Sequence, residues 1–250
     1  MESDLRTLPI PALKTVINVD WIIRFVDIFH FAEGRVPATY AQLTSSEYFP
    51  SRSALINPYT RLPVEAAAQP PPGDIRWEVG SSEDPEGNPL EGVKVSYTIT
   101  KAKGQPPVEQ SVGAVYRRNR AIPGRDQVLQ WVRALSPLER RTYWVCWSLY
   151  YQLKSDFTGF LGGDIPRTFR QVRSLLGWRY PAGVLPNPWA QRPMRPVPAT
   201  APAPGDFTYI TLVGPDGKPG DIDIVCYGDD GRVIFPMYKA TPKPSTSPRF

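Results

Sequence analysis

Asp229 and Asp230 follow Tyr227 and Gly228 and lead into Gly231, between two apolar stretches. Neighbouring carboxylates in such a hairpin suit divalent cations, and a pair of cations can carry phosphoryl transfer. That chemistry needs a second aspartate segment, and the upstream stretch SDFTGFLGGD offers Asp156 and Asp164. The repeat described below gives Gly163 and Asp164 a structural loop position instead. His30 is the sole histidine of the chain, so neither a histidine-based metal centre nor a Ser-His-Asp triad gathers more than one imidazole. Beside Phe29 and Phe31 it reads as a packing residue. No Gly-x-x-x-x-Gly-Lys loop for phosphates is present. Cys146 and Cys226 lack metal-ligand spacing and read as two free buried thiols, with a long-range disulfide as the alternative. These residues predict a chain that is not an enzyme and has no cofactor, calcium being weighed below.

Binding chemistry has more material. Arg117, Arg118, Arg120 and Arg125 fall within YRRNRAIPGR, and Arg140 and Arg141 follow, in a chain whose formal charge is +5. A surface built from these six arginines would contact DNA or another polyanion, with an affinity that falls steeply with salt. The competing reading of the first four is a solvated linker. Tyr143, Trp144, Trp147, Tyr150 and Tyr151 recur at helical spacing and read as a core stripe rather than a stacking platform. Hydrophobic residues make up 41% and charged residues 21%, which argues against wholesale disorder. Thirty prolines, more than double the usual share, gather at 70–72, 106–107, 181–204 and 242–248 and predict stiff, extended connections. No run of eighteen apolar residues predicts a transmembrane segment, and residues 1–20 lack the pattern of a signal peptide.

The elements that must position these residues come in two sets. Gly34, Pro37, Thr39 and Gln42 are matched by Gly163, Pro166, Thr168 and Gln171, and ordered blocks recur about 130 residues apart. Asn57-Pro58-Tyr59 is matched by Asn187-Pro188-Trp189. Pro72-Gly73-Asp74 is matched by Pro204-Gly205-Asp206, and Pro85, Gly87, Pro89 and Tyr97 by Pro215, Gly217, Pro219 and Tyr227. The reading is two tandem copies of one domain, at 13–104 and 127–240, joined by a basic proline-containing linker at 105–126 and followed by a proline-rich tail at 241–250.

Each copy has the same local logic. VINVDWIIRFVDIFHF predicts an amphipathic helix stopped by Gly34, and ERRTYWVCWSLYYQLKSDFTGF predicts a second helix closed by Gly159, Gly162 and Gly163. Short helical turns follow at Thr39–Leu43 and Thr168–Leu176. The Asn-Pro-aromatic blocks are turn signals. GDIRWEV and GDFTYITLV read as strands that turn at DPEGNP and GPDGKP and pair with VKVSYTIT and DIDIVCYG. The fold class is α+β, a long N-terminal helix packed on a small antiparallel sheet, twice.

A helix, then Gly-x-x-Pro-x-Thr, Asn-Pro-aromatic, Pro-Gly-Asp and a hairpin, resembles the globular part of type IV pilin-like proteins. The second half is most similar to the major pseudopilin of type II secretion, through LPNPWAQRPM and GDIDIVCYGDDG. The resemblance implies a non-catalytic structural or assembly component of a type IV pilus or type II secretion-like system. It would bind other proteins of that assembly at the bacterial cell envelope or periplasm. Asn57, Pro58, Tyr59, Asn187, Pro188 and Trp189 are the expected partner contacts. The hydrophobic N-terminal filament segment of such pilins is not found in MESDLRTLPIPAL, so polymerisation is not expected. The family's calcium site implies Asp229 and Asp230 as ligands; calcium needs six to eight oxygens and GRVIFPMYKATPK adds no carboxylate, so turn chemistry is the competing reading. Tyr-Gly-Asp-Asp itself resembles the metal-binding hairpin of RNA-dependent RNA polymerases, but the chain is far shorter than fingers, palm and thumb require.

Overall fold

The computed structural model describes residues 8–51, 54–102, 104–118, 121–160, 207–213, 219–228 and 231–235. The chain divides into two units, residues 1–125 and 126–250. Each has a long helix ahead of a three-stranded antiparallel sheet, so the molecule is α+β.

In the first unit the sheet runs β1 (Ile75–Glu83), β2 (Pro89–Ile99) and β3 (Val108–Arg117) in that order, with Ile75 opposite Tyr97 and Val95 opposite Val112. Val93, Val95, Tyr97 and Ile99 alternate along β2 and are all buried, the two-residue period of a strand with one face on a core. The first two strands match the expected hairpin. The third corrects the reading of 105–126 as a linker throughout, since ten of its residues form β3. Val112, Ala114 and Tyr116 carry its half-buried face, but Gly113 and the polar start dilute the alternation and the arginines at its end resemble a solvated tail.

Helix α1 (Ile10–Glu33) opens with Pro11 in its first turn, where a missing N–H removes no helical bond. It ends at Gly34, whose φ of 72° is left-handed and whose N–H donates to the His30 carbonyl at 2.8 Å. The helix packs on β2 and β3. It is less amphipathic than expected: Ile17, Asn18, Val19, Trp21, Ile22, Phe25 and Val26 are buried on successive turns around much of its circumference. The loop after residue 45 supplies the further cover, with Phe49 at 4.8 Å from Phe25 and Tyr48 edge-on to Phe29 at 5.6 Å. Burying side chains of this size stabilises by about 1.5–3 kcal/mol each. Between helix and loop lies α2 (Tyr40–Ser45). Thr39 Oγ1 accepts from the Gln42 amide at 3.1 Å, and Gln42 Oε1 accepts from the Ala38 amide at 2.7 Å. This near-reciprocal cap gives Thr and Gln three residues apart a physical purpose.

Helix α3 (Arg125–Arg133), which the sequence did not announce, starts at the last residue of the first unit, and α4 (Pro137–Phe160) follows in the second. Ser136 and Glu139 form a capping box: the Ser136 amide donates to Glu139 Oε2 at 2.9 Å, and the Glu139 amide to Ser136 Oγ at 3.3 Å. Gly159, expected to close the helix, lies inside α4, and Gly162 and Gly163 fall outside the described residues. Strands β4 (Phe207–Val213), β5 (Pro219–Tyr227) and β6 (Val233–Phe235) form the sheet, and α4 packs on β5 and β6. Val213 sits opposite Pro219 as Glu83 sits opposite Pro89, with five residues between in both cases. A register shift follows between Leu212 and Val213.

Candidate protein-contact loop

The loop from Leu55 to Val64 is folded back on itself. The Val64 amide donates to the Leu55 carbonyl at 2.9 Å, the Asn57 amide to the Leu62 carbonyl at 2.8 Å, and the Arg61 amide to the Asn57 carbonyl at 2.9 Å. Arg61 takes a φ of 65°, a left-handed conformation that costs a non-glycine residue roughly 1–2 kcal/mol.

That cost is offset by Asn57, which is inaccessible to solvent. Its Oδ1 accepts from the amides of Tyr59 at 2.9 Å and Thr60 at 3.3 Å. Its Nδ2 donates to the Pro72 carbonyl at 3.1 Å and to Asp74 Oδ1 at 2.9 Å. Asp74 Oδ1 also accepts from the Glu65 amide at 3.1 Å. Asparagine alone among short side chains supplies acceptor and donors in one plane, as this knot requires. Gly73 crosses directly over it with φ 88°, and a Cβ there would lie 2.2 Å from Asn57 Oδ1. The Asn-Pro-aromatic and Pro-Gly-Asp blocks are therefore two halves of one structure. A third tie comes from α1, where Asn18 Nδ2 donates to the Ile56 carbonyl at 2.9 Å.

The knot divides the expected contact residues. Asn57 and Pro58 are buried framework, which corrects their assignment as contacts, while Tyr59 reaches the surface. Beside it the loop exposes Ile56 at 39% and Leu62 at 64%, neither singled out from the sequence. Their exposure follows from the direction in which Asn57 turns the chain, which composition does not encode. Asn187, Pro188 and Trp189 lie outside the described residues.

The arginines do not form one open basic surface. Arg117 Nη2 lies 2.5 Å from Asp84 Oδ2, with Glu86 at 3.8 Å, and Arg118 Nε lies 2.6 Å from Glu91 Oε1. Arg125 Nη2 donates to the Ala32 carbonyl at 2.8 Å, closing the end of α1. Arg140 is half-buried, Arg141 is exposed on α4, and Arg120 lies outside the described residues. Carboxylates and a helix terminus thus take up three of the six positions offered to a polyanion.

His30 is 8% exposed and stacks on Tyr116 at 4.4 Å, while Tyr116 donates to Asp27 Oδ1 at 2.5 Å. Burial lowers the His30 imidazole below the ordinary histidine value, with Glu91 opposing, so it stays uncharged at neutral pH. The same burial raises the Tyr116 phenol, and the Asp27 charge adds to it. This is packing chemistry, and it fixes β3 against α1.

In the second unit Arg232 forks onto Glu139, Nη2 donating to Oε1 at 2.8 Å and Oε2 at 2.7 Å, and Nε to Oε1 at 3.1 Å. The Glu139 side chain is 1% exposed. Burial pushes its carboxyl up, but Arg232 and the Ser136 amide outweigh that and hold it below the ordinary glutamate range. Arg232 adjoins Gly231, so the clamp holds the turn that leads out of Tyr227-Gly228-Asp229-Asp230. Gly231 has φ 73° and donates to the Gly228 carbonyl at 3.2 Å, and the Gly228 amide donates to the Arg232 carbonyl at 2.9 Å. The same two bonds join Asp84, Gly87 and Asn88 in the β1–β2 turn. Asp229 and Asp230 themselves lie outside the described residues. Among the described residues no group of three or more His, Cys, Asp or Glu side chains is placed to hold a metal, and no helix is long and apolar enough to cross a membrane.

No family model, curated protein or solved structure matches this chain.

Proposed function

We propose that this chain is a non-catalytic assembly component that works through protein contacts, built from two pilin-like domains and serving a type IV pilus or type II secretion-like system. The observation that carries the contact reading is the 55–64 loop. Hydrogen bonds to α1 and to the start of β1 hold it, a left-handed Arg61 is retained within it, and it exposes Ile56, Tyr59 and Leu62 beside Thr60 and Arg61. A rigid loop that spends backbone strain to display apolar and aromatic side chains suits a protein interface, where pre-ordered anchors lose little entropy on binding. The common order of helix and sheet, and the matched hairpin ends at Glu83–Pro89 and Val213–Pro219, support the pilin-like tandem reading. The polyanion alternative loses ground because Arg117, Arg118 and Arg125 already have partners.

A photoreactive amino acid placed at Leu62 or Tyr59 of the full chain tests this in cells. Cross-links to envelope assembly proteins, absent when the label replaces buried Leu55, are expected. Cross-links to nucleic acid, or none from either exposed site, would overturn the proposal.

A further inference from the structure

Cys146 and Cys226 both belong to the second unit, and both are free thiols inaccessible to solvent. Their positions are fixed by neighbours rather than by sequence spacing. Cys226 on β5 sits opposite Phe235 on β6, and opposed residues of an antiparallel pair project to the same face of the sheet. On α4, Tyr143 and Tyr150 lie one turn to either side of Cys146 on the same helix face. Both pack on Phe235, at ring separations of 5.3 Å and 6.1 Å. Cys146 is thereby held over the strand at Cys226, with the two thiols close enough to interact.

From this geometry we infer that Cys146 and Cys226 are a disulfide site, closed when the chain folds in the presence of a disulfide donor and tying α4 to the central strand of its sheet. The donor is a small-molecule or protein disulfide. One cysteine thiolate attacks a donor sulfur, which expels a first donor thiolate and leaves a mixed disulfide. The second cysteine thiolate attacks the protein sulfur of that mixed disulfide, forms the Cys146–Cys226 bond and expels the second donor thiolate. Two protein thiols are oxidised, one donor disulfide is reduced to two thiols, and the two protons pass from the cysteines to the donor.

Timing follows from burial. Enclosure raises the Cys146 thiol well above its ordinary range, with the neighbouring Cys226 adding to the effect. Cys146 thiolate is therefore scarce in the folded protein, both sulfurs are closed to a donor, and exchange belongs to folding, before α4 closes over β5. Once formed, the bond is shielded from reductants. The long loop it closes is the case in which a cross-link restricts the unfolded chain most.

The test is to refold the full chain from denaturant in mixed oxidised and reduced glutathione, alkylate it under denaturing conditions and weigh it. The expected product is a monomer about 2 Da lighter than the dithiothreitol-treated chain, unalkylated at both cysteines. Its melting temperature should rise by about 5 °C or more over that of the reduced protein. The folded, reduced protein placed in the same mixture should stay reduced far longer. Full alkylation after refolding, two glutathione adducts, or disulfide-linked dimers would overturn the assignment, and equally fast oxidation of the folded protein would overturn the timing.

Discussion

In the first unit the polar tie that organises the fold comes after the helix: Asn57 and Asp74 lace the returning loop to the start of the sheet through neutral and carboxylate hydrogen bonds. In the second unit the described tie sits at the start of the helix, where Glu139 caps α4 and grips Arg232 at the β5–β6 turn. Both units lay a long helix on the second and third strands of a three-stranded sheet. The difference shows that helix-on-sheet packing leaves open which polar group locks the connection. The lock at Glu139 is a charged pair, while the lock at Asn57 also depends on shape, because Gly73 leaves no room for a side chain.

The largest effect expected from breaking this comparison is Gly73→Ala. A Cβ at 2.2 Å from Asn57 Oδ1, added to a φ of 88°, should destabilise the first unit by about 3 kcal/mol or more. Hydrogen exchange of β1 and β2 amides in the full chain reads it, and unchanged protection would show that the knot is dispensable.

Next comes the test of whether the second unit shares the knot. If the proposed repeat holds, Asn187 would bond to the segment around Asp206, and Asn187→Ala should then cost about 1–3 kcal/mol in the second unit, as Asn57→Ala should in the first. A loss at Asn57 with none at Asn187 would separate the two units and weaken the tandem reading.

The smallest effect sharpens the charged half of the comparison. Because the folded state holds the Glu139 carboxyl below its ordinary 4.5, the clamp's contribution is fully present above that value and is lost as pH falls through the folded one. Arg232 is half-exposed, so Arg232→Ala should cost about 1–2 kcal/mol at neutral pH. It should also flatten the acid loss seen in β5 amide exchange as pH falls below the ordinary glutamate value of 4.5. An equally steep acid loss in the variant would place the titrating group elsewhere.

Local rules made a good part of the fold legible. Apolar spacing and Gly34 marked α1, Pro37 marked the entry to α2, and β-branched runs between turn residues marked β1, β2, β4 and β5. The third strand of each sheet escaped, because β3 is diluted by glycine and charge and β6 is three residues long; both are strands because a neighbour offers an edge. At the candidate site the sequence marked the 55–64 loop but not which of its side chains reach the surface. Asn57 was visible as a turn former, yet its burial depends on Asp74 and Gly73 arriving from the sheet.

What the sequence determined by itself was therefore the inventory: which segments are helical or extended, and where glycine and proline end them. Tertiary structure alone decided the pairings: Asn57 with Asp74, Glu139 with Arg232, Cys146 with Cys226, and the arginines with their carboxylates. The physical reason is range. Periodicity and capping act over three or four residues, whereas a hydrogen bond or thiol contact between distant segments exists only after the core has brought their backbones together.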